Sequence, residues 1–206
     1  MKPMEIEKRS FEIITAELGD REIDPEFAPV VKRVIHTTAD FDYYDNLTFS
    51  PHAVKHMMEV IQAGCDIVTD TTMAKSGINK KFLERFGGQV HCFIGDEDVA
   101  AEAKSRGVTR SLVSMEKAAK LEKPLIFAIG NAPTALFSIC ELVRAGKLNP
   151  AMVIGVPVGF VNVVEAKEET IQTVPHYIVA RGRKGGSNVA AAIVNAALYQ
   201  LIHRED

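Results

Sequence analysis

The chain has 206 residues, of which 47% are hydrophobic and 25% are charged, and its formal net charge at pH 7 is −3. Such a length and composition predict one globular domain over residues 1–206, with a core that needs no disulfide or metal for support. The mildly acidic balance argues against a general binder of nucleic acid or of membrane surfaces, so we expect neither partner.

In chain order, the first part of the chain is predicted to be helical. Apolar residues at helical spacing indicate a first helix over residues 5–17. Asp24 and Ser50 each precede a proline, and a capping residue before a first-turn proline is a pattern that opens a helix. We therefore expect a second helix from Asp24 to about Ile35 and a third helix over residues 52–63.

The rest of the chain alternates short apolar runs with helical patterns. The predicted strands are residues 66–69, 89–94, 124–129, 151–155 and 177–180, and the predicted helices are residues 79–86, 97–105, 115–121, 133–145, 165–173 and 187–203. Nearly continuous apolar strands that alternate with helices predict a three-layer α/β/α fold around a mostly parallel sheet of about five strands. Ligands of such folds bind beyond the carboxyl ends of the strands.

Cysteine and histidine usage indicates neither disulfides nor a metal site. Cys65, Cys92 and Cys140 form no CxxC pair, and the first residues contain no apolar signal segment, so we expect a reducing, cytoplasmic location. His52 and His56 are four residues apart and could share a metal on one helix face. No third ligand is evident, so two surface histidines are the preferred interpretation.

Two loops that follow predicted strands have the chemistry of anion sites. Residues 181–188 combine three cations with three glycines before a helix, and we favour an anion site there over a solvated basic turn. Residues 130–134 also join a strand to a helix, and their backbone N–H groups fit either an anion site or an ordinary capped turn. The candidate binding residues in these loops are Asn131, Thr134, Arg181, Arg183, Lys184, Gly185 and Ser187.

His36 is the candidate group for proton transfer. It ends the second predicted helix, and Arg33 lies one helical turn before it, so both side chains can face one cleft. The unperturbed pKa of histidine, about 6.5, suits proton transfer near neutral pH, although a lone histidine is more often structural. We interpret Asp40, Asp42 and Asp45, which follow it, as turn caps.

Five segments, taken in order, resemble the precorrin-8X methylmutase family, including its cobalt-precorrin-8 relatives. They are EKRSFEII at residues 7–14, RVIH at 33–36, AIGNAPTAL at 128–136, PVGFVN at 157–162 with Glu165 and Lys167, and RGRKGGS at 181–187. Each segment is weakly diagnostic alone, whereas the ordered set is specific and extends over nearly the whole chain.

The resemblance implies an isomerase of cobalamin biosynthesis that moves a methyl group from C11 to C12 of a contracted tetrapyrrole. The family's catalytic histidine matches His36, and its substrate-contacting serine and arginine match Ser10 and Arg33. It also implies a homodimer. A redox-neutral methyl shift needs no nucleotide or flavin, in keeping with the lack of dinucleotide and Walker motifs in the sequence, so we expect no cofactor.

The implied substrate is an anionic ring, and a chain with a net charge of −3 must meet it with focused cations. We therefore expect Arg33 and the cations of residues 181–184 to line one cleft with His36, and the acidic excess to lie elsewhere. Two alternatives stay open at this point. One is a non-catalytic tetrapyrrole carrier, and the other is an α/β enzyme that acts on a small phosphorylated or carboxylated metabolite.

Overall fold

A six-stranded sheet forms the centre of the molecule, in a computed structural model that describes residues 3–205 and the side chains of residues 5–202. The strands are β1 (Leu47–Phe49), β2 (Asp66–Thr69), β3 (Val90–His91), β4 (Leu125–Ile129), β5 (Met152–Gly155) and β6 (Tyr177–Ala180). Their order across the sheet is β1-β6-β5-β4-β2-β3, and only β1 is antiparallel to its neighbour. The predicted α/β class with a mostly parallel sheet is confirmed.

Helices cover both faces of this sheet. They are α1 (Pro3–Leu18), α2 (Ala28–Thr38), α3 (Tyr43–Asn46), α4 (Ala53–Gln62), α5 (Thr72–Gly77), α6 (Lys80–Arg85), α7 (Glu97–Arg106), α8 (Arg110–Ala118), α9 (Pro133–Arg144), α10 (Val163–Thr173) and α11 (Ser187–Glu205). None of the helices described over residues 3–205 is both long and apolar enough to cross a bilayer.

Alternate residues of the central strands pack on opposite faces. In β4, Ile126 and Ala128 join a core cluster with α1, α2, α4 and α11, whereas Leu125, Phe127 and Ile129 join a second cluster with α8, α9 and α10. All five of these β4 residues are buried, because helices cover the strand on both sides. The near-continuous apolar run in the sequence therefore has a direct structural cause.

The structure adds one strand to the five predicted ones. The extra strand is β1, which pairs antiparallel with β6 through Leu47 opposite Ala180. A strand of three residues is too short to show a period-2 pattern, and it exists only because β6 offers a free edge. The predicted strand over residues 89–94 is reduced to β3.

Two predicted helices begin at other residues, and one helix was not predicted. The second helix begins at Ala28, not after Asp24, because the Asp24 carbonyl accepts hydrogen bonds from Phe27 and Ala28 in a separate turn. In α8 the predicted start at residue 115 is too late, since Thr109 caps the helix by accepting a bond from the Leu112 N–H. Helix α5 was not predicted, although the Thr71 side chain caps it in the same way.

The parallel strands β2, β4, β5 and β6 end at the same edge of the sheet. The segments that follow them are residues 70–71, 130–132, 156–162 and 181–186. Gly130 meets the start of α11 so closely that a Cβ there would lie 2.6 Å from the Ser187 Cα. The Thr71 and Ser187 hydroxyls are 2.7 Å apart and share a hydrogen bond. These contacts bring the expected anion loops together at the carboxyl edge.

Candidate active site

His36 lies in the last turn of α2, between two clefts. It is exposed, and its ring stacks on the Phe11 ring of α1 with centroids 5.2 Å apart. One cleft, of about 240 Å³, lies between α2 and α11 and includes Arg33 and Asn188. The other, of about 420 Å³, lies between α1 and α2 and includes Ser10. The imidazole therefore borders both clefts at once.

Arg33 is held beside His36 by three contacts. Its guanidinium donates a hydrogen bond to the Glu7 carboxylate and lies 4.8 Å from the centroids of the Phe11 and Tyr199 rings. Only 19% of its side chain is exposed. A guanidinium has five N–H donors in a planar fork, so a cation fixed in this way can also meet a ligand carboxylate.

Ser10 lies one helix away from Arg33, on α1. Its hydroxyl donates a 2.9 Å hydrogen bond to the Ile6 carbonyl and keeps its oxygen lone pairs for a further donor. Because Ser10 and His36 border the same cleft, the three residues matched by the family resemblance surround one region of the surface.

The loop that follows β6 presents its cations to solvent. Arg181, Arg183 and Lys184 are exposed, whereas Ser187 is buried where α11 begins. The backbone of this loop is tied to the loop after β5, because the Gly159 N–H donates to the Arg183 carbonyl at 3.1 Å. None of these three cations borders either cleft beside His36, so the expectation of one shared cleft is only partly met.

Gly185 and Gly186 are needed for the shape of this loop. A Cβ on Gly185 would lie 2.1 Å from the Val156 carbonyl oxygen, and Gly186 has a φ of +146°. The Gly186 N–H donates to the same Val156 oxygen at 2.9 Å. The glycine run therefore serves close packing against the β5 loop.

The start of α9 does not provide the anion site considered for residues 130–134. The backbone N–H groups of Gly130, Asn131 and Ala132 donate to the Asp70 carboxylate at 2.6–2.9 Å. Burial raises the pKa of Asp70, and these three bonds oppose that rise. A side chain of the protein itself thus fills the position, and only the exposed side chains of Asn131 and Thr134 remain for a ligand.

The acidic residues are not kept away from the cations, contrary to expectation. The Lys184 ammonium donates to the Asp40 and Asp42 carboxylates, and Arg181 pairs with Glu168. The bond from Lys184 is the main cause that holds the pKa of Asp40 below its ordinary value. Because Asp40 follows α2, this pairing also joins the β6 loop to the His36 end of that helix.

Apolar side chains are exposed at the same carboxyl edge. Met73, Phe160 and Val161 are 70–81% exposed, and the Arg183 guanidinium lies 5.5 Å from the centroid of the Phe160 ring. A flat apolar ligand with carboxylates at its rim would match this combination of apolar surface and cations.

Lys167 is a residue whose role the sequence reasoning missed. It is fully buried in α10, and its ammonium donates to the Gly182 and Lys184 carbonyls at 2.8 Å each. Burial lowers its pKa from 10.5 to about 8. The sequence does contain a signal, because Lys167 has the spacing that places it on one helix face with Val163 and Thr170. The structure shows that all three residues are buried.

The two histidines considered as a metal pair have separate partners. The His56 ring stacks on His176 with centroids 3.8 Å apart and bonds the Ala151 carbonyl, whereas His52 faces Glu26. Among the described residues, no group of three His, Cys, Asp or Glu side chains is placed to hold a metal ion.

Comparison with known proteins identifies the family. The family model described as precorrin-8X methylmutase matches residues 5–200. The chain belongs to this family.

Relatives named as methylmutases cover nearly the whole chain. The cobalt-precorrin-8 methylmutase of Salmonella typhimurium is 47% identical, with 97% of this chain and 96% of the relative covered. The precorrin-8X methylmutase of Pseudomonas aeruginosa is 39% identical, with 93% and 92% covered. The crystal structure of precorrin-8X methylmutase from Thermus thermophilus has a TM-score of 0.87 at 37% identity, with 97% and 98% covered.

Membership of the precorrin-8X methylmutase family confirms the resemblance given by the five motifs. It also confirms the prediction of a methylmutase, an isomerase of cobalamin biosynthesis. The carrier and the small-metabolite enzyme are thereby set aside.

Proposed function

We propose that this methylmutase moves the C11 methyl group of precorrin-8X or cobalt-precorrin-8 to C12, with His36 as proton donor and acceptor. The placement of His36 carries this proposal, since an exposed imidazole borders two clefts with Arg33 on one side and Ser10 on the other. Among the described side chains, none hydrogen-bonds the His36 imidazole, so both ring nitrogens are available to a substrate.

The proposed step is general acid catalysis of a [1,5] shift. His36 protonates the ring system, and the positive charge spreads over its conjugated bonds. The bond from C11 to the methyl carbon breaks as the bond to C12 forms, and the ring then returns a proton, either the same one or another, to His36. The step is redox-neutral and consumes no co-reactant. General acid catalysis supplies about 10²–10⁴-fold, and positioning of the macrocycle must supply the rest.

Substrate binding combines cations with apolar surface. A tetrapyrrole of this kind has an apolar face and several carboxylates at its rim. In our proposal Arg33 and the β6 loop cations meet carboxylates, and the exposed Phe160 contacts the ring face. Asn131 and Thr134 supply further polar groups at the start of α9.

The finer expectations from the sequence belong to this proposal. They are a homodimer, a cytoplasmic location and turnover without a bound cofactor or a nucleic-acid partner. The preference for a metal-free or a cobalt-containing ring is tested by incubating purified protein with both forms of precorrin-8 and following both absorption spectra. The form that is converted faster at equal concentration is the form that the site prefers.

Replacement of His36 tests the catalytic assignment. We expect His36→Ala to lower kcat by about 10²–10⁴-fold, because the proton donor is lost. Its dissociation constant for hydrogenobyrinate, followed by absorbance, should stay within a few-fold of the wild-type value. His52→Ala, which changes an exposed histidine on the Glu26 side of the molecule, is the matched control and should retain full turnover.

Turnover of the His36→Ala protein at the wild-type rate would remove His36 from the reaction. Loss of hydrogenobyrinate binding together with turnover would instead assign His36 to binding. A wild-type protein that binds the ring but converts neither form would contradict the proposed reaction.

A further inference from the structure

Lys167 joins α10 to the loop that follows β6. Its side chain is fully buried, and its Nζ donates to the carbonyls of Gly182 and Lys184, each at 2.8 Å. These two carbonyls flank Arg183, whose own carbonyl accepts from the Gly159 N–H. Three successive carbonyls are thus bonded within the protein, while the side chains of Arg183 and Lys184 are exposed.

Burial of the Lys167 ammonium between α10 and this loop has a desolvation cost. Desolvation is the single cause of the lowered pKa of Lys167, about 8, so no carboxylate compensates the charge directly. A methionine would occupy a similar volume without that cost. An apolar side chain, however, would leave the Gly182 and Lys184 carbonyls without their donor, which indicates a role in holding the loop.

The protonation state of Lys167 also sets the net charge of the groups around this loop. Among the described residues, four cations and three carboxylates belong to the loop or contact it or one another, and the buried phenol of Tyr43 near Asp40 and Lys184 adds no charge because its pKa is raised. The cations are Lys167, Arg181, Arg183 and Lys184, and the carboxylates are Asp40, Asp42 and Glu168. The neighbouring Arg144–Glu169 pair between α9 and α10 is balanced in itself. One positive charge remains when Lys167 is protonated, and none remains when it is neutral.

We propose that Lys167 is a positioning residue for substrate binding: it holds residues 181–187 in their anion-binding conformation and supplies the net positive charge that remains after the loop cations are balanced by Asp40, Asp42 and Glu168. The inference rests on the proposed function, in which the loop receives carboxylates of the ring. An anionic ligand at the loop favours the ammonium form of Lys167, so binding takes up a proton near and above pH 8.

Limited trypsin digestion, which needs no ligand, tests whether the hydrogen bonds of Lys167 keep the loop in place. Arg181, Arg183 and Lys184 are all trypsin sites, and mass spectrometry of the fragments identifies cleavage there. We expect Lys167→Met to be cut in this loop about tenfold faster than wild type, because both carbonyl bonds are lost. Lys167→Gln keeps an uncharged N–H donor and should be intermediate. Lys120→Met, a change of an exposed lysine after α8, is the matched control.

Hydrogenobyrinate binding as a function of pH tests the charge. The free-state pKa of about 8 lies below the bound-state value, so wild-type affinity is fully present below pH 8 and falls as the pH rises through it. We expect the wild-type dissociation constant to rise about tenfold between pH 7 and pH 9.5. The Met and Gln variants should bind more weakly at pH 7 and show a flat profile over this range, with kcat changed less than KM.

Two results would overturn the inference: loop cleavage of the Lys167→Met protein at the wild-type rate, or a flat pH profile of the wild-type protein, which needs no variant. Either result leaves the proposed function standing if the wild-type protein converts precorrin-8. If the wild-type protein neither converts nor binds the ring, the proposed function fails, whereas the digestion still decides whether Lys167 holds the loop.

Discussion

At the scale of single residues, Arg33 shows how neighbouring side chains can fix a cation close to an exposed histidine, His36. Arg33 contacts Glu7, Phe11 and Tyr199 and is thereby fixed at the border of the cleft that His36 shares. The position of the cation is set by side chains from α1 and α11, which leaves His36 itself open to solvent. The proposed function gives Arg33 a role in binding and His36 a role in proton transfer.

This division predicts different kinetic effects for the two residues. Arg33→Ala should raise KM, and the dissociation constant for hydrogenobyrinate, by about tenfold, because a charge-assisted contact to a carboxylate is lost. The value of kcat should change less. Arg9→Ala, which removes an exposed α1 cation paired with Glu12, serves as the control. An unchanged dissociation constant for Arg33→Ala would place Arg33 outside the binding site.

At the scale of elements, the carboxyl edge depends on close contact between turns. Asp70 holds the turn after β4 through three N–H groups, and this turn meets the first residues of α11 at Gly130. The Thr71 hydroxyl completes the contact through Ser187. The segments at this edge are therefore in direct backbone contact with one another.

A methyl group at Gly130 should disturb this packing. The Cβ of Gly130→Ala would lie within 2.8 Å of backbone atoms of Gly186 and Ser187, which cannot move as a flexible side chain can. We expect a loss of about 2 kcal/mol in the free energy of unfolding, measured in urea, and weaker ring binding. Gly95→Ala has open space around its Cβ and is the control. Equal stability of the two variants would show that the turn can shift freely.

At the scale of the whole molecule, stability should depend on His176, which lies just before β6. Burial, and then the neighbouring His56, lower the pKa of His176 below its ordinary value of 6.5. Below pH 6.5 the unfolded chain therefore binds a proton there before the native chain does. This contribution is fully present above pH 6.5 and is lost as the pH falls towards the native pKa.

We therefore expect the urea midpoint of the wild-type protein to fall between pH 7 and pH 5.5, and His176→Gln to show a shallower decline over the same range. His52→Gln, a change of an exposed histidine, should follow the wild-type curve. Parallel curves for the wild-type and His176→Gln proteins would assign the acid sensitivity to other groups.

The regular part of the fold was predictable because local patterns encode it. The apolar runs of β4 and β5 and the helical periods between strands need only neighbours in sequence to be recognised. The limits of α2 and the existence of β1 were not predictable. Asp24 forms its own turn before α2, and β1 depends on an edge of β6 that lies some 130 residues later in the chain.

The sequence by itself determined the α/β class, the family motifs and the helical spacing that places Arg33 and His36 on one side of α2. Only the tertiary structure decided which cations are paired with carboxylates. It also decided that the Asp70 carboxylate occupies the anion position at the N–H groups of residues 130–132. Lys184 and Asp40 are 144 residues apart, and Asp70 and Gly130 are 60 residues apart. Local periodicity specifies which face of an element is buried, but it does not specify which distant element supplies the partner of a charge.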